Sequence, residues 1–489
     1  MPAFIPRLTT GLLALLAASC SSPDEEALRL AVIGEAGSAF ESGVRLSVAG
    51  QLMRAATAQG LVTLDGKGDV APALAEPWIV TDDGLSYIFR LRDGTWPDGT
   101  RLTGEDAATA LRRVLASLRG TPLASDLGPV EDVVARTGRV VELRLSSPNP
   151  DLLRVLAQPE FGLLRANGGS GPMAVERQGD AALLRPYAPR EVGLPGERRW
   201  EERARSLRLS TLPAVGAVTR FREGSVQAVL GGKWDSIMLA RDVSMVTGSL
   251  QFDSVAGLFG LTFTHADGFL GEPANREAIA MAIDREALAA ALRTPGWTPT
   301  TRLVTPGMDG DLGTIGARWA ELHLAARRAE AARRVTRWRA GRDQAPALRI
   351  ALPSTPGSGL LFKRLSDDMA AIGITVRQVE EDKPADLRLV DQVARYARAQ
   401  WFLGQLACGV RPGPCSPAAD RLVDRARSTS DERQRAALLA EAEAELTLAN
   451  VYVPLGPPVR WTLARRGLSG LTPNRWAAHP LIAFAVMPR

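Results

Sequence analysis

Sulfur and imidazole are scarce in this chain. Its 489 residues include three cysteines and three histidines. Three cysteines cannot build a disulfide scaffold. Three histidines leave little material for a zinc site or a His-based triad. Lysine is nearly absent too: only Lys67, Lys233, Lys363 and Lys383 stand among 59 basic residues. The arginines are scattered among acidic residues rather than gathered with aromatic stacking positions, so no nucleic-acid partner is expected. No Gly-x-Ser-x-Gly elbow, P-loop or His-Glu-x-x-His occurs, and adjacent acids such as Glu380 and Glu381 need not converge. Neither catalysis nor a cofactor is expected. What remains is ordinary: 45% hydrophobic and 23% charged residues, with a net charge of +5. That composition excludes a disordered chain, a fibrous repeat and a polytopic membrane protein. The length is enough for about three domains.

The N-terminus carries an export pattern. Arg7 precedes an apolar run from Leu8 to Ala18, too short for the roughly 20 residues of a spanning helix and suited to a secretory signal. Ala17, Ala18 and Ser19 lead into Cys20. Small residues before a Cys resemble a bacterial lipobox, although Leu16 lies four rather than three positions before it. Residues 1–19 are therefore read as a signal peptide, Cys20 as a lipidation site and 20–27 as a polar tether. A soluble secreted product and an uncleaved anchor are the alternatives. Cys408 and Cys415 flank a Gly/Pro-rich turn. In an oxidising compartment they are expected to form a disulfide, with two buried thiols as the alternative.

Residues 28–33 read as a first strand, followed by a helical stretch near 44–58. Asp83-Gly84 is a turn pair. Tyr87, Phe89 and Leu91 then alternate with Ile88, Arg90 and Arg92 as a half-buried strand. Thr103 and Asp106 have capping-box spacing, ahead of a helix with Ala107, Ala110, Leu111, Val114, Leu115 and Leu118 on one face. Residues 139–145 alternate again, Val141, Leu143 and Leu145 opposing Glu142 and Arg144. A C-terminal strand is expected over Leu481–Val486, with His479 structural. In 318–339, seven arginines and an apolar stripe of Leu322, Ala325, Ala326, Ala329, Ala332 and Val335 indicate a solvated helix.

These residues carry a family resemblance. The run from Gln59-Gly60-Leu61 through Ala71-Pro72-Ala73-Leu74-Ala75-Glu76-Pro77-Trp78, Asp83-Gly84-Leu85, Phe89–Gly94, Asp98-Gly99-Thr100 and Leu102–Asp106 resembles the signature of family 5 extracellular solute-binding proteins. These are the dipeptide-, oligopeptide- and nickel-binding components of ABC importers. Gly169–Met173, Arg220–Gln227, Asn275–Leu288, Val304–Met308 and Ser416–Asp424 resemble later family motifs in the same order. The resemblance implies an α/β, two-lobed periplasmic-binding-protein-like fold with an extra α+β subdomain and a hinge. The expected division is 24–50, 160–258 and 450–489 in lobe I, 51–159 as the added subdomain, and 259–449 in lobe II. It also implies capture of a peptide or other small molecule by lobe closure, a membrane permease as partner, and a monomer in the periplasm or cell envelope.

One motif departs from the family pattern. Peptide-binding members carry a Trp-x-Ala-Asp-Tyr-Pro-Asp-Pro segment whose Asp pairs with the peptide ammonium. Here Arg395 stands at that Asp, just before Tyr396, and no Tyr-Pro-Asp-Pro follows. Arginine favours carboxylate or phosphate. Three readings remain: an anionic or modified ligand at Arg395, a cation contact taken over by Asp391, or Arg395 as a surface residue in a shortened loop. Thr264 replaces a family Asn at a ligand strand. Trp234 and Trp401 are candidate cleft walls or core residues, and His265 is a candidate beside that strand. Few His and Cys argue against a nickel ligand set. An envelope sensor or scaffold that keeps the fold without peptide transport is the alternative function.

Overall fold

The computed structural model describes residues 27–165, 168–247, 250–314 and 317–487. The signal peptide and Cys20 lie outside the described residues. Three sheets organise the rest. The first has seven strands in the order Met173–Gln178, Ala181–Pro186, Leu207–Leu212, Leu28–Ile33, Ala228–Lys233, Arg460–Ala464 and Leu250–Asp253. Its central strand, the expected 28–33, runs parallel to both neighbours. The second has five: Thr375–Val379, Ala347–Ala351, Leu387–Val393, Gly257–Phe263 and Tyr452–Gly456. The third is antiparallel: Ala75–Val80, Ser86–Leu91, Val140–Leu145 and Val130–Ala135.

The chain passes from the first sheet to the second over 254–256 and returns over 457–459. The return lies later than expected. Tyr452, Val453 and Leu455 are buried, and their strand pairs with Gly257–Phe263, which holds 450–456 in the second sheet. Gly456 ends it because a Cβ there would lie 2.2 Å from the Trp297 ring. The inserted unit also begins later than expected. Helix Val48–Thr57 buries Ala49, Met53 and Ala56 against Leu30 and Leu209, so it belongs to the first sheet. Its cap is Ser47, which accepts a hydrogen bond from the Gly50 amide at 3.2 Å.

Within the inserted unit the patterns translate directly. Tyr87, Phe89 and Leu91 are buried, as are Val141, Leu143 and Leu145. Helix Gly104–Ser117 lays Ala107, Ala110 and Leu111 on that sheet, and Thr103 accepts from the Asp106 amide at 3.1 Å. Glu142 departs from its expected exposure. It is buried because Arg136 and Arg144 donate to it at 2.6 and 3.2 Å. The C-terminal segment differs as well. Leu481, Phe484 and Ala485 are buried at helical spacing, and Leu481–Ala485 forms a helix instead of a strand. Helix Leu324–Arg339 buries Ala331 and Val335. Leu322 precedes it and is exposed. Its arginines are not all solvated: Arg334 bonds Glu277 at 2.5 Å and Arg328 pairs with Asp368.

Two apolar cores tie the units together. One runs from Phe89, Trp96, Leu111 and Leu143 of the inserted sheet into Tyr396, Trp401, Phe402 and Leu439. The other joins Val229, Trp461 and Leu463 of the first sheet to Phe259, Leu261 and Leu455 of the second. Cys408 and Cys415 are joined by a disulfide. A loop of that size restricts the unfolded chain by about 2–3 kcal/mol. Replacing both cysteines with serine should lower stability by that amount in urea unfolding.

Candidate ligand-binding site

A cavity of about 650 Å3 opens where the three units meet. The first sheet contributes Gly231, Gly232 and Lys233 from one strand end, and Arg460 and Trp461 from the next. The loop 44–47 enters from the start of helix Val48–Thr57. Leu118, Leu123, Asp126, Gln158 and Glu160 come from the inserted unit and its return. The second sheet supplies Asp391–Ala394, followed by Arg395, Trp401 and Gln405. Trp461 packs so closely on Gly232 that a Cβ there would lie 2.1 Å from its ring. Its indole N–H donates to the Lys233 carbonyl at 2.7 Å.

Charged pairs bridge the units around this space. Arg395 grips Glu160 with two bonds, 2.8 and 3.1 Å, and also donates to Gln158 at 3.1 Å. Glu160 is 2% exposed. Burial alone lowers the affinity of Arg395 for its proton, but the Glu160 carboxylate outweighs it and the pKa is raised. The surface-loop reading of Arg395 is thereby corrected: the side chain points inward and its guanidinium is already occupied by a protein carboxylate. Arg398 forms an ion pair with Asp151 at 2.7 Å. Arg460 donates to Asp391 Oδ1 at 2.8 Å. The Tyr396 hydroxyl donates to Asp126 Oδ1 at 2.7 Å.

The sequence candidates therefore separate. Asp391, Arg395 and Trp401 line the cavity. Tyr396 is buried behind the wall, holding Asp126. Trp234 is a core residue, 5.6 Å from the Phe259 ring. Thr264 lies just beyond the far end of strand Gly257–Phe263, roughly 20 Å from the crossing, where its hydroxyl donates to the Ala385 carbonyl. His265 bonds Asp386 at 2.9 Å, and Arg349 holds the same carboxylate. His479 bonds Asp253 at 3.0 Å, while the Asn474 amide donates to Asp253 at 2.8 Å. That pair pins the C-terminal loop at the cavity. Asp126, Glu160, Arg460 and Trp461 were missed by sequence reasoning. Only Glu160, next to Pro159 in a tight turn, carries even a local signal.

Asp126 is the most perturbed carboxylate of the site. Burial pushes its pKa up to about 6, against the Tyr396 hydrogen bond and the fields of Arg427 and Arg395. Asp151 pushes the same way as burial. Among the described residues no group of three or more His, Cys, Asp or Glu could hold a metal ion.

The model for bacterial extracellular solute-binding proteins, family 5, matches residues 69–180. A probable di/tripeptide-binding protein 5 of Pseudomonas aeruginosa is 25% identical, covering 87% of this chain and 89% of its own. Over residues 69–180 the chain is thus similar to the family 5 extracellular solute-binding proteins, and the resemblance to a di/tripeptide-binding relative extends over most of its length. A probable deoxycholate-binding periplasmic protein of Escherichia coli, YgiS, is 34% identical over 119 residues, 21% of this chain and 22% of its own. The fold matches Haemophilus influenzae OppA, crystallised with the peptide RPPGFSPFR. That match has a TM-score of 0.82 at 17% identity, over 95% of this chain and 99% of that one. The two-lobed architecture of that fold accounts for the paired crossings and for a cavity between separate sheets.

The Asp126 pKa has a direct consequence. Its folded value lies above its unfolded value of about 4. Between those values the folded state keeps a proton that the unfolded state has lost, so this group's stabilising effect falls as pH rises through the window. At pH 7 the buried carboxylate costs about 3 kcal/mol. Urea unfolding at pH 5 and pH 7 should show the wild type gaining about 1–2 kcal/mol on acidification relative to Asp126→Asn. Parallel behaviour of the two proteins would show that Asp126 titrates as an ordinary carboxylate.

Proposed function

We propose that this protein is the extracytoplasmic capture component of an ABC importer, trapping a peptide-like or other small organic solute by closing its lobes. The observation that carries this reading is the cavity itself. It has the volume of a small-molecule site, and its walls come from the inserted unit and both lobes at once. A solute held there touches every unit, binds the closed arrangement better than the open one, and shifts the population toward it. Relatives named for di/tripeptides, deoxycholate and oligopeptides support a small organic solute. Asp391 and Trp401 are the proposed ligand contacts, with Trp461 beside them. Arg395 closes the site on Glu160 rather than gripping the ligand. The expected partners are a membrane permease and, through Cys20, a lipid anchor, with the protein a monomer in the periplasm or cell envelope. The Arg395–Glu160 pair also favours the sensor or scaffold reading, because it fills the position where peptide-binding members hold the ligand ammonium.

Calorimetric titration of the mature protein with a dipeptide and tripeptide panel tests capture, with small-angle scattering to follow closure. Binding with compaction is expected, and Trp401→Ala should weaken it at least tenfold. A protein that neither binds nor compacts with any member supports the scaffold reading. Separately, Glu160→Gln leaves the half-buried Arg395 guanidinium without its charged partner. It should destabilise the protein by about 3 kcal/mol, read by thermal and urea unfolding.

A further inference from the structure

We infer that Asp126 is a specificity-determining residue of the cavity, receiving a cationic hydrogen-bond donor of the solute, an ammonium or guanidinium, at the end away from Asp391. The inference rests on the capture reading above and names the chemistry it selects. Asp126 is 5% exposed and lines the cavity. Its Oδ1 is fixed by the Tyr396 hydroxyl. Its Oδ2 is buried and has no hydrogen-bond partner among the described residues. The charges around it are committed elsewhere. Arg395 is held by Glu160, and Arg427 donates to Asp424 at 2.8 Å. Asp151, a further negative neighbour, is held by Arg398. No arginine, lysine or histidine of the described residues donates to Asp126.

Asp391 is built in the same way. Oδ1 holds Arg460, while Oδ2 is buried and unpartnered. From Asp391 the strand continues to Ala394, whose amide still pairs with the Ala256 carbonyl at 2.8 Å. That is about 10 Å of extended chain, after which Arg395 and Tyr396 turn toward the inserted unit. The cavity thus has two carboxylates with an unpartnered oxygen, Asp126 from the inserted unit and Asp391 from the second sheet. Each carboxylate is anchored on one oxygen, and its other oxygen is buried without a donor. In a desolvated site it favours a charged donor over a neutral one. A dipeptide with a basic side chain, or another solute with cationic groups at both ends, fits this pattern.

The test is isothermal titration of the wild type, Asp126→Asn and Tyr396→Phe with Ala-Ala, Ala-Lys and Ala-Glu, and with 1,5-diaminopentane as a cation that is not a peptide. The wild type should bind Ala-Lys at least tenfold tighter than Ala-Ala, and Ala-Glu more weakly than either. Asp126→Asn should bring the Ala-Lys to Ala-Ala ratio close to one. Tyr396→Phe, which frees the carboxylate without removing it, should lower the ratio partway and guards against a misfolded Asn variant. A ratio near one in the wild type, or a preference that survives both variants, overturns the inference. If no dipeptide binds but diaminopentane binding depends on Asp126, the peptide reading fails and the inference stands. If Ala-Ala binds and neither cationic probe responds to Asp126, the inference fails and the peptide reading stands.

Discussion

The contact on which the arrangement of these units depends is the Arg395–Glu160 pair. It joins the second lobe to the return of the inserted unit with two parallel hydrogen bonds, Glu160 buried and Arg395 partly exposed. A buried charge pair is a weak net stabiliser, but removing one partner is expensive. Its effect is therefore on geometry more than on total stability. It fixes where Tyr396 and Arg398, the next residues of the same segment, meet Asp126 and Asp151. Three positions within four residues each reach a carboxylate of the inserted unit. Asp391 and Arg460 make the matching contact between the two main sheets. Polar bridges of this kind suit surfaces that must separate, because each partner regains water when the lobes part.

The scaffold was legible in the sequence because its elements are set by local rules. Alternation placed Tyr87, Phe89 and Leu91 inward, and the Thr103 cap marked a helix start. The family-like motifs proved to be scaffold staples. Arg276 donates to the carbonyls of Ala449, Asn450 and Leu270, and Arg285 to that of Pro454. Glu443, 1% exposed, holds Arg302 and the Leu303 and Val304 amides beneath the 304–308 loop. These long-range contacts restrict the residue types at their positions, and so the motifs survive as readable patterns.

The site was less legible, for a physical reason. A cavity wall is assembled by packing separate units, and nothing in the spacing of Asp126, Glu160, Asp391 and Arg460 says that they meet. Arg395 was noticed because it stands where the family has the opposite charge, but its partner lies 235 positions away. Trp234 was drawn by residue type and Thr264 by its place in the family-like strand, and both are spent on internal contacts. The C-terminal segment was misread as a strand because a short apolar run does not distinguish period two from period 3.6. Leu481 and Phe484 share a face only in the helix.

Self-pairing at Arg395 also changes what a ligand must do. In a clamshell whose closing contacts come mainly from the solute, the empty protein stays open and the solute supplies the whole preference for closure. Here four cross-unit polar contacts and a shared apolar core already join the units, so they add to whatever preference a solute supplies. A solute then needs a smaller difference in affinity between the two states to complete the shift, since only the remaining imbalance must be overcome. The same bias makes release harder, because opening must break Arg395–Glu160 along with the solute contacts.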